Sequence, residues 1–111
     1  MDPATVVATL AALAQETRLA IFRQLVEAGA TGLSVGEIGA PLGIAPATLS
    51  FHLKELVNAG LARSRQEGRY IYYFAHYAHM DAVMGYLNRN CCAADRPAAA
   101  KCCATQRKGS R

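Results

Sequence analysis

The stretch from Ser34 to Gly60, SVGEIGAPLGIAPATLSFHLKELVNAG, constrains the fold more than any other part of the chain. Ser34-Val-Gly-Glu37 is a capping box: the serine hydroxyl can accept from the backbone at Glu37 while the glutamate reaches back, so a helix starts here. It has room for only about 35–42, because Gly43 stands where a tight turn is needed and Pro46 suits the first turn of a new helix, where its missing N–H costs nothing. The new helix, about 46–59, aligns Leu49, Leu53, Leu56 and Val57 on one face, with Thr48, Ser50, His52, Lys54 and an exposed-looking Phe51 opposite. Gly60 then supplies the C-terminal stop. A short helix, a tight turn and a second amphipathic helix leave few alternatives.

The flanks extend this unit. LARSRQ, then Glu67-Gly68, then RYIYYFA make two β-prone runs around a glycine turn, which predicts a hairpin. Upstream, Val6, Leu10 and Leu13 form one helical stripe, and Leu19, Phe22, Leu25 and Val26 a second. Gly29-Ala-Thr-Gly32 closes the second helix and makes a loop. Downstream, Met80, Val83, Met84 and Leu87 form a stripe on a last helix ending near Asn90. There is no internal repeat. The expected fold is mainly α with a small β-hairpin: a winged helix-turn-helix over 1–90, followed by a flexible basic cysteine-containing tail over 91–111.

In such a fold the second helix of the pair enters the major groove, and the hairpin sets Arg63, Arg65 and Arg69 near phosphates. Charge alone does not point to DNA. Residues 1–87 hold six Lys/Arg against seven Asp/Glu, whereas residues 88–111 hold six against one, so the net +4 belongs to the tail. With 52% hydrophobic and 18% charged residues the chain is expected to fold rather than stay disordered. No apolar run is long enough for a membrane span, and the acidic N-terminal segment argues against a signal peptide. A cytoplasmic protein is expected, where clustered cysteines serve as metal ligands or redox groups more often than as disulfides.

LAQETRLAIFRQLVEAG and LSVGEIGAPLGIAPATLSFHLKELVNAGLARSRQEGRYIYYFA closely resemble the ArsR/SmtB family of metal-sensing transcriptional repressors, over about residues 5–90. The resemblance implies a homodimer joined through the N- and C-terminal helices. Such a dimer sits on palindromic double-stranded operator DNA and leaves when a metal or metalloid binds. Base-reading positions carry over to Ala47, Thr48, Ser50, Phe51 and His52, and Lys54 shares their face. The paired cysteines that many arsenic-sensing members carry before the recognition helix are missing, since the matching stretch is Leu33-Ser-Val-Gly-Glu-Ile. Of the zinc-sensing pattern only His76, His79 and Asp81 are candidates, and its second half is absent. These histidines read better as surface or helix-start residues.

All four cysteines lie in the tail, as the pairs Cys91-Cys92 and Cys102-Cys103. A vicinal pair directly after the dimer helix also occurs in some arsenic- and antimony-responsive members of the family. Trivalent arsenic or antimony, as effector rather than permanent cofactor, seeks three thiolates. Cys91 and Cys92 can supply two, and Cys102 or Cys103 lies within chain reach for the third. Arg89, Arg96 and Lys101 are expected to favour the thiolate form. Cadmium, lead, mercury or thiol oxidation are alternative signals for the same residues. A thiol enzyme is disfavoured: there is no Cys-x-x-Cys, no phosphate-cradling glycine loop, and no His or acid placed to activate a nucleophile.

Overall fold

The computed structural model describes residues 1–94. Five helices and three strands follow the order α1 (Pro3–Leu13), α2 (Glu16–Ala28), β1 (Leu33–Ser34), α3 (Val35–Leu42), α4 (Pro46–Asn58), β2 (Ala62–Glu67), β3 (Tyr70–Ala75) and α5 (Tyr77–Asn88), with a 3-10 turn at Gly29–Thr31. The helix-turn-helix is α3 and α4, as expected, and α5 ends two residues earlier than predicted.

Local chemistry accounts for the boundaries. Asp2 caps α1 by accepting the Thr5 N–H at 2.8 Å, with Pro3 in the first turn. The capping box of α3 is complete: Ser34 N–H donates to Glu37 Oε1 at 2.8 Å, and Glu37 N–H donates to Ser34 Oγ at 3.3 Å. Gly43 ends α3 in the left-handed conformation, φ 62°, which only glycine adopts cheaply. Helix α4 ends in a Schellman pattern, Leu61 N–H donating to Leu56 O and Gly60 N–H to Val57 O, both at 3.0 Å. Leu56 and Leu61 are both buried, which supplies the apolar contact that accompanies this ending.

Ile21 and Leu25 of α2, Ile38 of α3, Leu49, Leu53 and Leu56 of α4, and Leu61 form the fully buried centre. The hairpin β2–β3 pairs Ala62 with Ala75 through Glu67 with Tyr70 around a two-residue turn, Gly68–Arg69. The sheet, however, has three strands in the order β1-β3-β2, because Leu33 pairs with Tyr73 and Ser34 with Tyr72. The sequence marks a loop over Gly29–Gly32 and a helix cap at Ser34, with no strand between them. Two residues carry no alternation to read, and the strand exists because β3 offers an open edge. Gly32 makes the approach possible: its φ is +72°, and a Cβ there would lie 2.5 Å from the Tyr73 carbonyl oxygen. Among the described residues no single helix is long and apolar enough to cross a membrane; α1 and α2 are bent by 99° from one another.

Gly32→Ala combines a left-handed alanine with backbone overlap, and is expected to destabilise by about 3 kcal/mol, read as a lower urea midpoint with unchanged slope. Asp2 and Glu37 accept backbone N–H groups, of Thr5 and Ser34 respectively, which holds each carboxyl below its ordinary pKa. The stabilisation from a depressed pKa is complete above the unfolded value, about 4, and is lost as pH falls through the folded one. Glu37→Ala should therefore lower the urea midpoint at pH 6, with the difference from wild type narrowing by pH 3.

Candidate nucleic-acid interface and cysteine turn

Helix α4 buries Leu49, His52, Leu53 and Leu56, which recur at i, i+3, i+4 and i+7. Its opposite face leaves Ala47, Thr48, Ser50, Phe51 and Lys54 exposed. Phe51 is 56% exposed, a large ring held outward on the helix that the fold offers to DNA. His52 departs from expectation. It is 8% exposed and turned toward α2, where Arg18 Nη1 donates to its Nδ1 at 3.3 Å. Arginine can only donate, so Nδ1 carries the lone pair. The same guanidinium donates through Nε to Ala12 O at 2.7 Å, satisfying a carbonyl at the end of α1. His52 is thus part of the scaffold behind the reading face. The clue lay in its spacing, since it fills the i+3 slot of the leucine stripe.

The wing divides its arginines. Arg63 and Arg69 are exposed, Arg69 at the hairpin tip. Arg65 is committed within the protein: it pairs with Glu67 through Nε and donates to Ala30 O at 3.3 Å and Thr31 O at 2.9 Å. Its guanidinium carbon also lies 5.7 Å and 5.6 Å from the Tyr72 and Phe74 ring centroids. Arg65 ties the hairpin to the turn after α2, which leaves Arg63 and Arg69 as the exposed arginines of the wing.

At the other end of α4, side chains of α5 meet the backbone. His76 donates Nδ1–H to Gly60 O at 3.1 Å, the only sense a carbonyl permits. His79 Nε2 contacts Thr9 Oγ1 at 2.9 Å, and Thr9, 1% exposed, also bonds Thr5 O at 2.9 Å and reaches Ala59 O at 3.4 Å. The two imidazoles stack at 5.9 Å. His76 is the N-cap of α5, as a helix-start residue should be. His79 is half-buried and bonded to a buried threonine, which the sequence reading missed. Thr9 was the available signal, a polar residue three positions after Val6 on the inner face of α1. Among the described residues no group of three or more His, Cys, Asp and Glu could hold a metal ion. Tyr77 anchors the start of α5 by donating its hydroxyl to Val26 O at 2.8 Å.

Beyond α5 the chain makes two successive turns. Arg89 (φ −58°, ψ 130°) and Asn90 (φ 61°) form the first, closed by Cys91 N–H to Asn88 O at 2.9 Å. Cys91 and Cys92 are the central residues of the second, closed by Ala93 N–H to Asn90 O at 3.0 Å. Cys92 has φ 62°, a conformation that costs a non-glycine residue roughly 1–2 kcal/mol and that recurs at ligand clamps. The Cys91 and Cys92 sulfurs lie 3.5 Å apart, and Cys92 is disulfide-bonded. Arg89, expected to support the thiolates, stacks on Tyr86 with 4.8 Å between guanidinium carbon and ring centroid. Cys102, Cys103, Arg96 and Lys101 lie outside the described residues.

The helix pair and hairpin define a winged helix-turn-helix, and residues 13–65 match a helix-turn-helix domain family. YceK, an uncharacterized HTH-type transcriptional regulator of Bacillus subtilis (strain 168), is 45% identical over 58 residues, which span 52% of this chain and 57% of that relative. An ArsR-like transcriptional regulator from Rhodococcus sp. RHA1 superposes with a TM-score of 0.73 at 31% identity, over 87% of this chain and 89% of its own. The homodimeric winged helix-turn-helix DNA-binding domain of a possible ArsR-family regulator from Mycobacterium bovis gives 0.58 at 29% identity, over 76% and 82%. The chain belongs to the ArsR family of winged-helix transcriptional regulators.

Arg65→Gln removes the strut between wing and turn and is expected to cost about 1–2 kcal/mol, whereas Arg63→Gln should change stability by less than about 0.5 kcal/mol. Paired urea titrations measure the difference.

Proposed function

We propose that this regulator is a repressor that binds a palindromic operator as a homodimer. It releases the DNA when trivalent arsenic or antimony binds Cys91, Cys92 and a third thiolate from Cys102 or Cys103. The observation that carries the effector assignment is the cysteine turn. Two thiolates on one soft ion, with bonds of about 2.3 Å as to zinc, lie roughly 3.5–3.8 Å apart; the turn holds the Cys91 and Cys92 sulfurs 3.5 Å apart with Cys92 in a disulfide, so reduction has to release Cys92 before an ion binds. Such an ion supplies a soft centre that holds three sulfurs together in the reduced protein.

The dimer reading rests on exposed apolar side chains of the two terminal helices. Val7 and Leu10 of α1 and Met84 and Leu87 of α5 are 65%, 42%, 55% and 56% exposed. A second copy covering these faces would remove them from water. Coupling to DNA follows from where α5 is held. His76 and His79 bind α5 to the C-terminal end of α4 and to Thr9 of α1, so a shift of α5 reaches the reading helix and the dimer face together. Release requires the effector to bind the DNA-free arrangement more tightly than the DNA-bound one.

The test follows the fluorescence anisotropy of a labelled duplex from upstream of the gene, with reduced protein and with arsenite, cadmium, zinc and peroxide added separately. Release by arsenite near one equivalent per protomer is expected, and the Cys91→Ser, Cys92→Ser double variant should stay bound. Release of that variant by arsenite removes the cysteine-turn site. Release by peroxide alone replaces the metalloid with thiol oxidation as the signal.

A further inference from the structure

Eight of the thirteen residues of α4 are exposed, yet from Pro46 to Val57 the helix carries no Arg, Asn or Gln. Those three side chains and lysine make the hydrogen bonds that identify guanine or adenine in the major groove, and the helix's one lysine, Lys54, stands beyond its first two turns. Polar reading in the first two turns is left to Thr48 and Ser50, whose hydroxyls accept either partner. The remaining exposed chemistry there is apolar. Ala47 lies four positions and Thr48 three positions before Phe51, so their methyl groups border its ring on one face of the helix. Phe51 itself is 56% exposed.

The ring is also supported from behind. It meets the buried His52 imidazole edge-on, with centroids 5.6 Å apart and planes at 62°. That imidazole is in turn held by Arg18. A supported aromatic ring flanked by two methyls, in the turns of a recognition helix that reach base edges, fits one major-groove feature: the C5-methyl of thymine.

We propose that Phe51, bordered by Ala47 and Thr48, reads thymine methyl groups, and that each operator half-site is specified chiefly by a thymine facing this ring. The inference rests on the operator-binding reading given above. Losing one buried methyl contact corresponds to about a fourfold loss of affinity, and losing the symmetric pair to about fifteenfold.

Duplexes bound by the full, reduced chain are selected from a randomised pool. Each thymine of the selected sequence is then replaced by deoxyuridine, which deletes only the methyl group. One symmetric position is expected at which the paired replacement weakens wild-type binding about fifteenfold. Phe51→Ala should bind both forms equally, with circular dichroism and melting temperature confirming that this exposed substitution leaves the fold intact. Thr48→Ser should keep the sensitivity in reduced measure. If selected duplexes bind equally well with deoxyuridine at every position, or if Phe51→Ala keeps the full sensitivity, the methyl reader is overturned while operator binding stands. If no duplex is enriched, both fall.

Discussion

The inner stripe of α4 has to satisfy two requirements with one helix. Leu49, Leu53 and Leu56 must be buried against Ile21, Leu25 and Ile38, because a domain this small has little other apolar surface with which to form a core. The outer face must at the same time stay clear of everything else in the chain. The interaction that reconciles these is the one between His52 and Arg18. It places a polar ring in the leucine stripe, satisfies it from α2, and ties down the end of α1 with the same guanidinium. A charged or unpartnered group at that position would cost more than the packing returns. With it satisfied, α1, α2 and α4 are fixed together and the outer face is free to vary in chemistry.

Much of this was legible because local signals agreed. The capping box, Gly43, Pro46 and Gly60 each mark a boundary by a mechanism acting within a few residues, and all four boundaries stand where those residues put them. What escaped was set by distant partners. The strand at Leu33–Ser34 owes its existence to β3, nearly forty residues on. Arg63 and Arg65 look alike in sequence, yet only Arg65 finds the carbonyls of Ala30 and Thr31 in front of it. His52 and Thr9 were both readable in principle, as polar residues in register with an apolar stripe, but a period shows which face a residue takes and not what will satisfy it there.

The cysteine turn is a different case. Sequence reading identified the vicinal pair, and the structure adds the turn that holds it: an asparagine and a cysteine in left-handed conformations, directly after the last residue of α5. The pair is therefore attached to the helix end by two short turns, and a change in its bonding acts on α5 over a few residues.

One consequence concerns leverage. His76, and Thr9 to which His79 bonds, grip the C-terminal end of α4 at Gly60 and Ala59, while the exposed face proposed to read bases begins at Ala47. At 1.5 Å of rise per residue the two ends are about 20 Å apart. A pivot of about 6° at the gripped end would carry the other end about 2 Å, several times the tolerance of a hydrogen bond or a methyl contact. Small motions of α5 are thus magnified where specificity resides, and the mechanical gain is set simply by the length of the helix between grip and tip.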